Sequence, residues 1–377
     1  MSGIYLHIPF CRKACHYCDF HFSTSFKHKE SLLKAMQLEL LSRRSEANNN
    51  PIETIYFGGG TPSVLTDAEI EQFITTIDNN FDLKSDAEIT LEANPDDLSA
   101  ARIRSLAQGP VNRLSVGIQS FEDDLLSWMN RSHSASQALK SLEVIGDFFS
   151  NYSIDLIYGI PGSGPDTWAK TLNTALEFTP PHISAYALTV EPETALQVQI
   201  DKGISAFPDE DRAEEDFNYL IDALTSRGYT HYEISNFGKP GYYSKNNTAY
   251  WLGKSYIGIG PAAHSFNGSV RRWNVSNNIK YFRAIESGAI YYETEQLSLK
   301  DRYNEFVMTG LRTEWGVSLK QIRKDFGLSF EDYLLKLAKP YLDQQYLFLE
   351  EERIFLSKKA KFLADGIASE LFMVNLK

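Results

Sequence analysis

The 377-residue sequence has little cysteine: three residues, all between Cys11 and Cys18. An odd number with no secretory leader before it argues against a disulfide framework. No apolar run approaches membrane-spanning length, and Met1-Ser2-Gly3 leaves no room for a cleaved leader ahead of the first expected strand. Basic excess is also missing. A formal net charge of −12 excludes a broad nucleic-acid footprint, which needs clustered Lys and Arg, and leaves only a local basic patch open. There is no G-x-G-x-x-G, hence no dinucleotide fingerprint. Nor is there a low-complexity tract or an internal repeat beyond strand–helix alternation. The apolar and charged fractions, 43% and 23%, are those of an ordinary soluble protein, and the length suits one large domain plus a smaller one. Cytoplasm, where thiols stay reduced, is the expected compartment.

What is present is concentrated at the start. Ile4-Tyr5-Leu6-His7-Ile8 alternates as a strand does, and Pro9 stops it just before Cys11, Cys15 and Cys18, spaced C-x3-C-x2-C. Thiolates this close on a loop at a strand's end suit one compact metal centre. Three of them leave one iron of a four-iron cubane without a protein ligand, and an open position is how a metal site takes a substrate. That iron can be chelated by the amino and carboxylate groups of S-adenosylmethionine; an electron passed to the sulfonium then releases a 5′-deoxyadenosyl radical. Zinc held by the three cysteines and His7, His16 or His21 is the alternative, although zinc knuckles usually show paired C-x2-C spacings.

Downstream, apolar spacing predicts a helix over 30–44, with Leu32, Leu33, Met36, Leu38 and Leu41 on its apolar face. Asn48-Asn49-Asn50-Pro51 breaks it. Strands are expected at 53–57, 88–92, 112–117, 153–158, 182–188 and 231–235, and helices at 67–77, 136–148, 165–176 and 211–227. Such alternation argues for βαβ units and a parallel sheet, with six or seven units to about Phe237, short of a closed eight-fold barrel. Ligands of such barrels sit at the C-terminal ends of the strands, and the unusual residues fall there. Gly58-Gly59-Gly60-Thr61 follows a strand and can let backbone approach a ligand, or simply make a tight turn. Glu92 and Gln119 end strands; a ribose would suit Glu92. Arg131 has the planar fork that binds a carboxylate. Asp155 is a charge inside an apolar strand, so it is either paired or functional. Residues 239–293 read as an irregular, aromatic-rich lid and connector. From 295 onward a separate helical unit is expected, with helices at 299–311, 318–326, 330–343 and 358–372 and a hairpin of 346–349 with 353–356.

The segment Tyr5-x-His7-x-Pro9-Phe10-Cys11-x3-Cys15-x-Tyr17-Cys18 resembles the signature of radical S-adenosylmethionine enzymes, and its flanking residues resemble the oxygen-independent coproporphyrinogen III oxidase-like group. The resemblance spans nearly the whole chain. It implies an α/β fold built on an open, partial (β/α)6 TIM-like barrel (1–237), a connector or lid over the barrel mouth (238–294) and a small winged-helix-like C-terminal domain (295–377). It implies a 4Fe-4S cluster on Cys11, Cys15 and Cys18, and S-adenosylmethionine contacted by Tyr5, Tyr17, Gly59, Gly60, Thr61, Glu92, Gln119, Arg131, Asp155 and Ala187, with the glycines and Thr61 at its amino group. An electron donor for the cluster is implied as well.

Within the group, the oxidases carry a fourth cysteine two residues after the third, where this chain has Phe20, and an N-terminal extension that this sequence lacks. Both differences point to the heme-chaperone branch, with heme as cargo and a heme-accepting protein as partner. They point away from oxidative decarboxylation of coproporphyrinogen, which stays as an alternative beside another radical enzyme. One departure runs the other way. The chaperones' His-Asn-x-x-Tyr-Trp motif reads Asn246-Asn247-Thr248-Ala249-Tyr250-Trp251 here, and a carboxamide is a poor iron ligand. His264, His231, Tyr250 or apolar contacts remain as ways to hold heme, with Arg271 and Arg272 as candidate partners of its propionates.

Overall fold

Alternation along the first six strands sets up the architecture. Successive strand residues face opposite sides of a sheet, and Ile4, Leu6 and Ile8, then Ile55 and Phe57, Ile89 and Leu91, Leu114 and Val116, Ile154 and Leu156, and Ile183 and Ala185 join one buried apolar core beneath the helices. The intervening residues, among them Tyr5, His7, Glu92, Ser115, Asp155 and Tyr186, line cavities on the other face.

The computed structural model describes residues 2–47 and 50–374. The strands β1 (Ser2–Ile8), β2 (Ile52–Gly59), β3 (Leu83–Ala93), β4 (Arg113–Gln119), β5 (Tyr152–Tyr158) and β6 (His182–Ala187) lie in sequence order, each parallel to the next. Helices Lys29–Ser42, Asp67–Asn80, Ala100–Gln108, Ala135–Phe148 and Pro165–Glu177 fill the crossovers. Thr66 and Ser134 open two of them with capping boxes, which satisfy the orphan amides of the first turn. The expected break at 48–51 falls partly on Asn48 and Asn49, outside the described residues.

Three expectations about the large sheet and its first helix need correction. The seventh strand does not extend the parallel series: β7 (Thr230–Glu233) pairs antiparallel with β8 (Asn236–Gly238), which pairs antiparallel with β6. Only Ile234 and Ser235 separate the two strands, and a connection that short permits only a hairpin. The stretch expected to be irregular is regular. It supplies β9 (Ser255–Ile259), parallel to β1, then the antiparallel β10 (His264–Phe266), β11 (Val270–Asn274) and β12 (Tyr292–Gln296), giving a twelve-stranded open sheet with β12 and β7 at its edges. Its strands are only three to five residues long and lie between glycine-rich turns, which hid them. Lastly, helix Lys29–Ser42 buries Leu32, Leu33, Met36, Glu39 and Leu40, whereas Leu38 and Leu41 are 43% and 40% exposed. At 3.6 residues per turn, positions 38 and 41 fall away from the face set by 32, 33 and 36.

The C-terminal unit has its own core around Tyr303, Val307, Ile322, Leu334 and Ile354. Strand β13 (Val317–Ser318) completes a three-stranded sheet with the hairpin of β14 (Leu347–Glu350) and β15 (Arg353–Leu356). The last expected helix is split into a 3-10 turn, Lys358–Leu363, and a helix, Ala364–Glu370. The unit docks on β7 through Ile234 N–H donating to Arg312 O (3.0 Å) and Glu314 N–H donating to Tyr232 O (2.9 Å).

Glu39, on helix Lys29–Ser42, ties that helix to the β9–β11 side of the large sheet. Its carboxylate accepts from Arg43 (3.2 Å), Asn274 Nδ2 (2.8 Å), Gly260 N (2.9 Å) and the Tyr281 hydroxyl, while Arg43 also donates to Gly258 O (2.6 Å) and Ser265 Oγ (3.0 Å). Removing one partner of a buried ion pair strands the other charge. E39A is therefore expected to lose about 3–5 kcal/mol of stability in denaturant unfolding; a loss within error would show that the network does not hold β9–β11 in place.

Candidate metal centre

The cysteine loop leaves the C-terminal end of β1 and is closed at its base. Cys11 N–H donates to Ser23 O (3.1 Å) and Ser23 N–H to Pro9 O (2.9 Å). Its far side is pinned to the turn after β4: His16 N–H donates to Met129 O (3.1 Å), His16 Nδ1 pairs with Trp128 O (2.8 Å), and Asn130 Nδ2 donates to Ala14 O (2.6 Å). Loops with ends tied in this way are compact, and they often carry function.

Cys11, Cys15, Tyr17, Cys18, Gly59, Gly60, Thr61, Glu92, Gln119, Arg131, Asp155 and Ala187 all line one cavity of about 400 Å³ at the ends of the strands. Tyr5 alone among the expected residues is elsewhere. It lines a neighbouring groove, its hydroxyl 3.1 Å from His7 Nδ1. Asn94, Ser115, Gly117 and Tyr186 also line the cavity and were missed. Inward alternation from Gln119 would have found Gly117 and Ser115.

The glycine turn is itself bound to the cysteine loop. Gly60 N–H donates to Ile8 O (2.9 Å) and Thr61 N–H to Phe10 O (2.8 Å), so these amides already hold the cysteine loop to β2. A Cβ at Gly59 would stand 2.7 Å from the His7 ring, and one at Gly60 would stand 2.8 Å from Phe10 O; Gly59 also has φ +108°. Only glycine permits this approach. An ammonium group needs acceptors, so carbonyl oxygens are what this turn has left to present.

Arg131 bridges the cysteines and the strand ends. Nη1 lies 3.4 Å from Cys15 Sγ and 3.5 Å from the Tyr17 hydroxyl, Nη2 donates to Asn94 Oδ1 and Gly117 O (both 2.7 Å), and the buried Nε has no partner among the described residues. Gln119 holds φ +66° beside it, a strained conformation that such sites concentrate. Burial pushes the Cys11 thiol up to about 11, against a hydrogen bond from Thr61 Oγ1 at 3.3 Å, and pushes Cys18 up to about 12. Neutral thiols in such surroundings lose their protons when a metal takes the sulfurs. Among the described residues no group of three or more His, Cys, Asp or Glu side chains gathers as for a single metal ion; a four-iron cube holds each thiolate at a different corner and asks for no such convergence.

Deeper in, burial raises Asp155, against hydroxyls that include Ser115 (3.0 Å) and Ser153 (3.2 Å). Burial also lifts Glu92 to about 7, against a 2.7 Å hydrogen bond from Tyr56. The donor set fits the implied group: thiols for iron, a guanidinium and an unpaired buried N–H for a carboxylate, carbonyls for an ammonium, and carboxylates for ribose hydroxyls. Because the folded value of Glu92 lies above its ordinary 4.5, its protonation favours the folded state; this contribution is present below pH 4.5 and disappears as pH rises to about 7. In ligand-free protein, E92Q should therefore flatten the fall in stability across that window, read as thermal midpoint against pH. Equal slopes for the two proteins would refute the burial of this carboxyl.

The chain matches the Radical SAM superfamily over residues 5–175 and the HemN C-terminal domain over 297–363. It is 33% identical to the heme chaperone HemW of Bacillus subtilis over 97% of this chain and 98% of that one, and 34% identical to HemW of Lactococcus lactis over 100% and 98%. Escherichia coli coproporphyrinogen III oxidase (HemN) shares the fold, with a TM-score of 0.85 at 24% identity over 99% of this chain and 90% of that one. By sequence along its whole length, and by fold, the chain belongs to the HemW family of the radical SAM superfamily.

Proposed function

We propose that this protein is a heme chaperone: it binds heme and passes it to an acceptor protein, and it carries a 4Fe-4S cluster on Cys11, Cys15 and Cys18 with S-adenosylmethionine in the adjoining cavity. The observation that carries the reading is full-length similarity to proteins named heme chaperone HemW. Phe20, where the oxidases of the group have a further cysteine, supports it. We assign 1–237 to the core, 238–294 to a connecting extension and 295–377 to the C-terminal domain. No helix among the described residues is long and apolar enough to cross a membrane. The cytoplasm, with an electron donor at hand, is the compartment in which such a cluster would be kept.

When bound, the cluster and S-adenosylmethionine supply one-electron chemistry. The protein's own residues bind and orient. Arg131 would take the methionine carboxylate and hold it near Cys15, and the Gly59–Thr61 turn would accept from the amino group. Glu92 and Asp155 would receive ribose hydroxyls, and Ala187 leaves room beside them. We assign Asn246 no direct contact with heme: it is buried, accepts from Thr54 Oγ1 (3.2 Å), has its backbone N–H directed at Glu88 (3.3 Å) and lines neither cavity.

Hemin titrated into anaerobically reconstituted protein is expected to give a saturable change in the Soret band at one heme per chain. The variant with Cys11, Cys15 and Cys18 all changed to Ala should retain heme binding and lack the cluster's absorption. Absence of saturable binding by the reconstituted wild type would count against the chaperone reading.

A further inference from the structure

An open groove of about 760 Å³ runs beside the cluster cavity, lined by Tyr5, His7, His21, Tyr250, Tyr256 and His264. Asp19, Phe20 and Phe22, from the far side of the cysteine loop, form a wall common to both spaces, and Phe20 is 64% exposed there. Volumes of this order hold flat organic ligands of a few hundred daltons. Two tyrosines, Tyr250 and Tyr256, meet edge to face at 4.5 Å and give the groove an aromatic wall.

The histidines separate cleanly by what their ring nitrogens already touch. Of the eight in the chain, three line the groove. His7 has both nitrogens engaged, Nδ1 with Tyr5 and Nε2 with His21 O at 2.9 Å, and burial depresses it to about 4. His21 pairs through Nε2 with Asn278 at 2.7 Å. His264 is exposed and has no hydrogen-bond partner on either nitrogen among the described residues. The other conjectured ligands are unsuited. His231 is sandwiched against Phe237 at 4.1 Å, with its nitrogens on Ile234 O and Lys361 Nζ, and burial keeps the Tyr250 phenol neutral. Arg272 is taken up by Glu39 and Glu46, and Arg271 pairs with Glu305 at 2.7 Å, so neither is a free partner for propionates.

The presentation of His264 is built by the backbone. A Cβ at Gly258 would lie 1.9 Å from His264 O, and Gly260 and Ala262 hold φ +107° and +59° in the turn that leads to it. A left-handed Ala persists only where its surroundings impose it. His264 then pairs in register with Trp273, and the two rings stack at 6.2 Å. Partial desolvation, with nearby Arg271 beside it, lowers its proton affinity and favours the neutral imidazole that iron requires.

Building on the heme-chaperone reading, we propose that heme lies in this groove against Tyr250 and Tyr256, with His264 as its protein ligand. Histidine is a standard axial ligand of heme iron. One imidazole on an open groove suits a cargo that must leave again, since the second axial face and the propionate edge stay accessible to an acceptor. The groove also shares Phe20 with the cluster cavity, so bound heme would lie next to the cysteine loop.

The test is hemin titration of the reconstituted wild type, H264A and H264Q, read by Soret position and by the electron paramagnetic resonance of the ferric heme. Losing even an outer-shell partner of a metal costs about 10–100-fold in affinity. Both variants should therefore bind hemin at least about tenfold more weakly and lose the histidine-ligated spectrum, and free imidazole should restore that spectrum in H264A. Iron and sulfide content reports whether the variants are folded. Wild-type binding with unchanged affinity and spectrum in both variants would overturn the assignment of His264 and leave the chaperone reading standing. A wild type that binds no hemin would overturn both.

Discussion

Two short backbone contacts, Gly60 N–H to Ile8 O and Thr61 N–H to Phe10 O, hold the cysteine loop against the end of β2, and a third, Cys11 N–H to Ser23 O, closes its base. Everything functional in this chain is arranged around that junction. It places Cys11 inside the sheet's C-terminal rim, lets Thr61 reach its sulfur, and leaves Cys15 and Cys18 facing Arg131 and the cavity. Glycines at 59 and 60 are needed there because the strand, the His7 ring and the loop backbone meet with no space for a side chain.

Two spaces share the cysteine loop. The cavity that carries the thiols ends in carboxylates and an arginine, a polar interior suited to an amino-acid nucleotide. The groove behind it is aromatic and contains an unpartnered imidazole. Phe20 stands between them at the position where the oxidases of the group have another cysteine. An exposed phenyl group there offers a flat apolar ligand a surface and offers a metal nothing. Separate rooms with a common wall suit a protein that holds a redox centre and a porphyrin at the same time.

The part of the structure legible in the sequence was the part with local causes. The C-x3-C-x2-C spacing, the strand before Pro9, the alternation of β2 to β6 and the helices with clear caps depend on neighbours a few residues apart. All but one of the expected site residues share a cavity because most stand toward the C-terminal ends of strands or in the cysteine loop, with Arg131 reaching in from the crossover after β4. Tyr5 did not join them because its place on β1 directs it to the groove beyond the cavity. What was not legible depends on distant partners. Glu39 is surrounded by Asn274, Gly260 and Tyr281, all more than two hundred positions away. The same network keeps β9 beside β1, so a stretch rich in glycine and aromatics became sheet. His264 was one of several candidates in the sequence, and what sets it apart, the turn of Gly258, Gly260 and Ala262 that exposes it, depends on contacts with its surroundings.

The account stands on three sulfurs holding one iron–sulfur cube with a corner open to S-adenosylmethionine. The most direct measurement is iron and sulfide analysis of anaerobically reconstituted protein, paired with electron paramagnetic resonance of the reduced form before and after S-adenosylmethionine is added. Iron and sulfide in the proportion of a cubane, with a spectrum that shifts when the cofactor is added and is lost in C11A, C15A or C18A, is the predicted result. Zinc, no metal, or a cluster spectrum indifferent to S-adenosylmethionine would contradict it.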